Sequence, residues 1–191
     1  MGTYVGTDND DSIDGNSLPD ETSKIDAKAG DDTLINLNSV EVIAGPGNDN
    51  ISGTDVRYAL WRSPSSPTVN LNEGFALDGF GFRDELSGVS TVQLPSNTSA
   101  PVDAVVIGSD QDETVYVWAG NNTINLGGGT DSIRFYDSNY SDFSFNYINN
   151  SIVLKNIKTN SESIISGVET LQFLKKELVG DSYDEYQTRV E

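Results

Sequence analysis

Aliphatic residues enter this chain one at a time. In "GTDNDDSID" (6–14), "AKAGDDTLI" (27–35), "AGPGNDNIS" (44–52), "GSDQDETVY" (108–116) and "LGGGTDSIR" (126–134), an acid stands two residues before a single aliphatic position, behind glycine and small polar residues. From 108 to 134 the units are contiguous, with "VWAGNNTIN" between them, and Val115, Ile124 and Ile133 recur every nine residues. An α-helix puts residues nine apart about 180° out of phase and loses roughly 1 kcal/mol at each glycine. A tight turn followed by a short strand fits instead, with the middle strand residue pointing inward and its neighbours outward. Two such units make one coil of a solenoid, and stacked coils bury an aliphatic column that no unit covers alone.

The first half follows the same scheme. Framed at 6–14, 18–26, 27–35, 36–43 and 44–52, it places Ile13, Ile25, Leu34 and Ile51 inward and, because successive turns alternate sides, Asp11, Asp32 and Asp49 on one side. The intervening "LPDETSKID" and "NLNSVEVI" lack the glycine turn, which predicts a one-sided ladder of aspartates. Between the halves, "TVNLNEGFALDGFGFRDELSGVSTVQL" (68–94) alternates at Val69 and Leu71 and passes through a glycine-rich turn to Asp84 and Leu86, as further coil with longer loops. Residues 61–67 and 95–101 read as surface loops. After residue 135, "DFSFNYI", "SIVLKNI" and "VETLQFL" alternate apolar and polar positions, as antiparallel strands covering the open solenoid end would. The predicted fold is all-β: a parallel β-roll or β-helix solenoid with a C-terminal antiparallel β cap. Its expected parts are a first repeat block (4–53), a degenerate coil (54–107), a second block (108–135), capping strands (136–180) and a tail (181–191).

Composition narrows the chemistry. The 191 residues carry 30 acids against 11 bases, a net charge of −19. That balance repels nucleic-acid backbones and anionic headgroups, so nucleic acid and membrane surfaces are not expected partners and cations are. With no histidine and no cysteine, a His-based triad, a thiolate nucleophile, a disulfide framework and an ordinary zinc site are excluded. No apolar run is long enough for a transmembrane helix. The N-terminal "MGTYVGTDND" lacks the basic and apolar regions of a secretory signal, so export is expected to use another address. Regularly placed Ile, Val and Leu argue for a core despite the acidity.

The turns suit a hard cation. An ion of calcium's size takes about six to eight oxygen ligands at about 2.3–2.6 Å, from carboxylates, amides and backbone carbonyls. Glycines let a turn fold until its carbonyls converge, and an aspartate adds charge. "AGPGNDNIS" and "LGGGTDSIR" resemble the Gly-Gly-x-Gly-x-Asp-x-aliphatic-x repeat of RTX proteins, the hemolysin-type calcium-binding family. The stretch "TVNLNEGFALDGFGFRDELSGVSTV" resembles the degenerate coil joining repeat blocks in large RTX exoproteins, and "DFSFNYINNSIVLKNIKTNSESIISGVETLQF" resembles the segment that caps them. The resemblance implies calcium between alternate turns and export by type I secretion machinery reading a C-terminal signal. By position, it implies carboxylate ligands from Asp11, Asp32, Asp49, Asp84 and Asp131, with Glu113 in the same place. The implied carbonyl ligands come from Gly6 and Asp8, Lys28 and Gly30, Gly45 and Gly47, Ser109 and Gln111, and Gly127 and Gly129.

Some positions depart from the repeat. Glu113 and Asn122 stand where aspartate is usual, Phe82 replaces a third glycine before Asp84, and Val117 and Trp118 replace paired glycines, so no left-handed turn is predicted at 117–122. The side chains of Asp8, Asp10 and Asp14 read as solvated charge. The adjacent acids Asp31 and Asp32 have no recognisable cleft for acid–base work. The implied function is that of a non-enzymatic, calcium-binding module of a secreted or cell-surface protein. Two other readings are a carbohydrate-binding or adhesive module stacking Trp61 and Trp118 on an extracellular or cell-surface glycan, and a non-catalytic C-terminal module of a secreted exoenzyme. Packing of both tryptophans within the fold is the plainer expectation.

Overall fold

A strand with one inward side chain can hide it only against the strands of neighbouring coils, and the chain solves this by parallel stacking. The computed structural model describes residues 2–97 and 99–176 and a strand over 183–189. The chain divides at Gln93/Leu94 into two compact units, a division that falls inside the 54–107 segment. The fold is all-β and solenoid-like. Among the described residues there is no α-helix, and no helix long and apolar enough to cross a membrane.

The first unit contains β1 (Gly2–Val5), β2 (Ser12–Asp14), β3 (Thr22–Asp26), β4 (Thr33–Asn38), β5 (Glu41–Ile43), β6 (Asn50–Ala59), β7 (Thr68–Asn70), β8 (Phe75–Leu77) and β9 (Arg83–Gln93). Parallel pairing sets Ile13 beside Leu34, Leu34 beside Ile51 and Ile51 beside Leu86 on one side of the coil. On the other side, Ile25, Val42, Tyr58 and Val92 line up in the same way. All eight side chains are buried, so Ile51 is one rung of a continuous column. The long strands β6 and β9 serve both columns through register shifts after Ser52 and Val56. Residues 60–82 leave the coil: β7 and β8 form an antiparallel hairpin, and β8 pairs antiparallel with the start of β9. Val69 is buried as its alternation predicts, whereas Leu71 lies in the turn at 71–74 and is only half-buried.

The second unit contains β10 (Val105–Ile107), β11 (Thr114–Val117), β12 (Thr123–Asn125), β13 (Ser132–Tyr136), β14 (Phe143–Ile148), β15 (Ser151–Asn156), β16 (Glu162–Ser166), β17 (Thr170–Lys176) and β18 (Tyr183–Arg189). Its columns are Val106–Ile124–Ile165 and Val115–Ile133–Leu171. The cap corrects the expectation of antiparallel strands throughout. Strands β14, β15 and β16 are antiparallel neighbours, and so are β17 and β18. Yet β16 and β17 also add in parallel to β12 and β13, because Ile165 and Leu171 extend both columns by one coil. Phe135, Phe143 and Phe173, with ring centroids 5.0–5.3 Å apart, form an aromatic layer beside the extended column.

Candidate cation sites in the stacked turns

The turns on one side of each unit share a backbone plan. Positive φ recurs two residues apart: Lys28 (87°) and Gly30 (117°), Gly45 (105°) and Gly47 (151°), Gly127 (87°) and Gly129 (123°). Close stacking also demands glycine there. A Cβ on Gly45 or Gly47 would collide with the carbonyl oxygen of Lys28 or Gly30, and one on Gly127 or Gly129 with that of Ser109 or Gln111. The carbonyls assigned from sequence thus lie stacked from turn to turn, with one correction. Ser12 pairs with Thr33, so counting back along both chains puts Thr7 and Asn9 level with Lys28 and Gly30. Gly6 and Asp8 fall level with Ala27 and Ala29 instead, and the Asp8 side chain is exposed.

The acids that end these turns form a hydrogen-bonded ladder. The Asp11 N–H donates to Asp32 Oδ1 at 2.8 Å, the Asp32 N–H to Asp49 Oδ1 at 2.8 Å, and the Asp49 N–H to Asp84 Oδ1 at 3.0 Å. In the second unit the Glu113 N–H donates to Asp131 Oδ1 at 2.8 Å and the Asp131 N–H to Glu169 Oε2 at 2.7 Å. Each bridging carboxylate therefore spans a gap to the turn before it. Asp11, Asp32, Asp49 and Asp84 share one side, as do Glu113, Asp131 and Glu169.

What the second carboxylate oxygen does separates these gaps into kinds. Asp32, Asp49 and Asp131 are 1%, 2% and 1% exposed, and the Oδ2 of each is buried without a hydrogen-bond partner among the described residues. Burial pushes Asp32 and Asp131 up to about 6 and Asp49 up to about 8, against the hydrogen bond from the preceding turn and with the repulsion of neighbouring acids. The first acid of each ladder is satisfied by its own turn. Asp11 accepts the Thr7 N–H at 2.6 Å and its hydroxyl at 3.1 Å, while Glu113 accepts the Ser109 N–H at 3.2 Å and the Ser109 hydroxyl. Asp84 is satisfied by the Tyr58 hydroxyl on Oδ2, and burial raises it to about 6.

A cation suits the three unpartnered oxygens: each belongs to a desolvated carboxyl group and lies beside a turn whose carbonyls are stacked on the next. Among the described residues no three acids converge as they would around a metal, so carbonyls must supply most of any shell. Residues 108–113 enter this arrangement through Glu113, with Ser109 and Gln111, like Thr7 and Asn9 in the first turn, lacking the left-handed backbone of the turns at 28–30, 45–47 and 127–129.

Two residues of the ladder are not among the sequence candidates. Glu169 repeats the Gly-x-acid-x-aliphatic spacing of Gly129, Asp131 and Ile133 in Gly167, Glu169 and Leu171, which is the signal that marks it. Tyr58 has no local signal. The turn at 117–122 is also left-handed at Gly120 (φ 97°), contrary to expectation, because Val117 and Trp118 are not at the position that needs it. Trp118 stacks on Tyr136 at 4.8 Å, and the Lys24 ammonium lies 4.0 Å over the Trp61 ring, so both tryptophans make contacts within their own units. Asp10 and Asp31 are exposed yet accept the N–H groups of Asp31 and Asn48 at 2.9 and 2.8 Å, a structural use for the adjacent acids.

No family model and no curated protein matches the chain. Among solved structures it is similar to the extracellular lipase LipA from Serratia marcescens, with a TM-score of 0.38 and 16% identity over 57% of this chain and 21% of that one. The chain thus spans about a fifth of that protein's length. At that identity and TM-score the likeness says nothing about what this chain does.

Proposed function

We propose that the chain is a calcium-stabilised β-roll module of RTX type in a secreted or cell-surface protein, structural and non-catalytic in role. The observation that carries this reading is the set of buried, unpartnered oxygens on Asp32, Asp49 and Asp131, one in each of three stacked-turn gaps. Desolvating a carboxylate is strongly unfavourable without a counter-charge or hydrogen bond. Here one oxygen of each is fixed by a backbone N–H, and the other needs a proton or a cation. Calcium would neutralise the carboxylate and gather the carbonyls of adjacent turns, with Asp32, Asp49 and Asp131 as anionic ligands and Lys28, Gly30, Gly45, Gly47, Gly127 and Gly129 among the carbonyl donors.

The consequence is folding that depends on the ion. A net charge of −19 opposes compaction, and the oxygens meet only when turns stack, so binding free energy becomes folding free energy. Extracellular calcium modules bind at roughly 10⁻⁴–10⁻³ M, which leaves such a chain marginally stable during cytosolic passage and completes its folding outside. Far-UV circular dichroism and hydrodynamic radius are expected to show a less stable and partly expanded chain in chelator, most of all over 1–53, and a compact β-rich one in millimolar calcium. Identical spectra and radii in the two buffers would refute the reading.

A further inference from the structure

The loop joining β8 to β9, within "LDGFGFRDEL" (77–86), does not follow the stacked-turn plan: Gly81 is left-handed (φ 100°) and Phe80 and Phe82 are not. Asp78 shapes it. Its Oδ1 accepts the N–H groups of Phe80, Gly81 and Phe82 at 3.0, 2.8 and 2.8 Å, folding the backbone around one oxygen. The other oxygen, Oδ2, is buried with no hydrogen-bond partner among the described residues.

A second carboxylate stands on the same face of the hairpin. The antiparallel register pairs Ala76 with Asp84 and Leu77 with Arg83. Asp78, two residues beyond Ala76, therefore shares a face with Asp84 and lies diagonal to it. That face is the inner one, since Asp78 is 6% exposed and Ala76 and Asp84 are 0% exposed, while Leu77 and Arg83 are exposed. Diagonal neighbours in an antiparallel pair lie about 7–8 Å apart, a separation at which two aspartates can reach one ion. Asp84 is held in place by the Asp49 N–H at 3.0 Å and by the Tyr58 hydroxyl. Tyr58 and Asp78 wall the same cavity, whose basic residues Lys28 and Arg62 are committed to Asp26 at 3.3 and 2.9 Å. Neither Asp78 nor Asp84 has a salt-bridge partner among the described residues. Two buried acids on one face without a basic partner must either hold protons or gain a counter-charge.

We propose that Asp78 and Asp84 clasp a hard divalent cation of their own, at the hairpin rather than between stacked turns, with Tyr58 orienting Asp84 and backbone carbonyls completing the shell. The choice of calcium as the ion rests on the function proposed above; the choice of ligands does not.

Crystals of the full chain grown in calcium, measured where calcium scatters anomalously, are expected to show a peak between Asp78 and Asp84 in addition to those in the stacked-turn gaps. In equilibrium dialysis, Asp78→Asn is expected to lose one bound calcium per chain and keep the others. Peaks in the gaps bridged by Asp32, Asp49 and Asp131 with none at the hairpin would overturn the proposal while leaving the stacked-turn reading intact. So would a folded D78N chain that retains the wild-type stoichiometry. A wild-type chain that binds no calcium overturns both. The diffraction measurement needs no variant and decides the matter if D78N does not fold.

Discussion

The second unit builds two columns of stacked turns that differ in the residue ending each turn. On one side Glu113, Asp131 and Glu169 end successive turns; on the other, Ala104, Asn122 and Ser163 stand level, as the pairing of Thr123 with Ile164 requires. The Glu113 N–H donates to Asp131 Oδ1 at 2.8 Å, and the Ala104 N–H donates to Asn122 Oδ1 at 3.1 Å. Gly129 sits against the Gln111 carbonyl, as Gly120 sits against that of Val102. The second group of the side chain is where they part. Asn122 Nδ2 turns back to donate to the carbonyls of Ala119 and Gly120 at 3.2 and 3.3 Å, whereas Asp131 Oδ2 has no partner among the described residues. A positive group is wanted at that point in both turns. The amide carries its own; on the function proposed above the carboxylate recruits one, which would tie folding to a solute on the aspartate side and not on the asparagine side.

The two sides share one core, and the largest expected effect tests that. Ile133→Ala and Ile124→Ala should each cost about 2–5 kcal/mol, since both residues are almost fully buried in their columns. Urea unfolding should report similar losses in chelator and in millimolar calcium. A loss at Ile133 that calcium repairs would show that the aspartate side is held by the ion alone.

Converting the neutral side into the charged one comes next. Asn122→Asp keeps the acceptor for the Ala104 N–H and removes the donor to Ala119 and Gly120, leaving a buried charge unpaired. Stability in chelator should fall by about 3 kcal/mol, and calcium should restore much of it by making a site where none is proposed. Equal losses with and without calcium would mean that the backbone on that side cannot gather a shell.

The comparison also shows what local pattern reveals. The columns are legible because each strand offers one inward place, filled by Ile13, Leu34, Ile51, Val115 or Ile133. The one-sided run of Asp11, Asp32 and Asp49 is legible because turns alternate. Glu169 is obscured because alternation after residue 135 suits a plain strand as well as a coil, and only the pairing of Leu171 with Ile133 distinguishes them. Gly6 looks like the first of two paired turn residues but is level with Ala27, which only register decides. Tyr58 bonds Asp84 from β6, and Asp78 stands diagonal to Asp84 in the hairpin, so their juxtaposition depends on a long excursion that no repeat encodes.

The reverse exchange is smaller and of opposite sign. Asp131→Asn should raise stability in chelator by about 1–2 kcal/mol through the amide contacts that Asn122 makes, while removing one calcium-dependent increment. It should also flatten a pH dependence whose sign is fixed by burial. Asp32, Asp84 and Asp131 are raised from 3.8 to about 6 and Asp49 to about 8, so the folded chain holds protons that the unfolded chain has lost. This contribution is fully present below the unfolded value and disappears as pH rises through about 6 and then about 8. In chelator the thermal midpoint should be higher at about pH 5 than at about pH 8, and calcium should remove most of that slope. A midpoint that climbs with pH in chelator would contradict the assignment of these carboxylates as desolvated and unpaired.

The smallest expected effect concerns where the charged column begins. Glu113 differs from Asp131 in being held by its own turn, through the N–H and hydroxyl of Ser109, as Asp11 is held by Thr7. These hydroxyl residues stand where later turns use Gly45 and Gly127, so each ladder opens with an acid that needs no solute. Ser109→Ala removes one hydrogen bond to a charged acceptor and leaves the N–H, which should cost about 1 kcal/mol in chelator. If Glu113 only closes the ladder, calcium stoichiometry stays unchanged and the loss is the same in calcium. If the freed oxygen instead recruits an ion, calcium should erase the loss and stoichiometry should rise by one, and Ser109 would then be what keeps the charged column one site short.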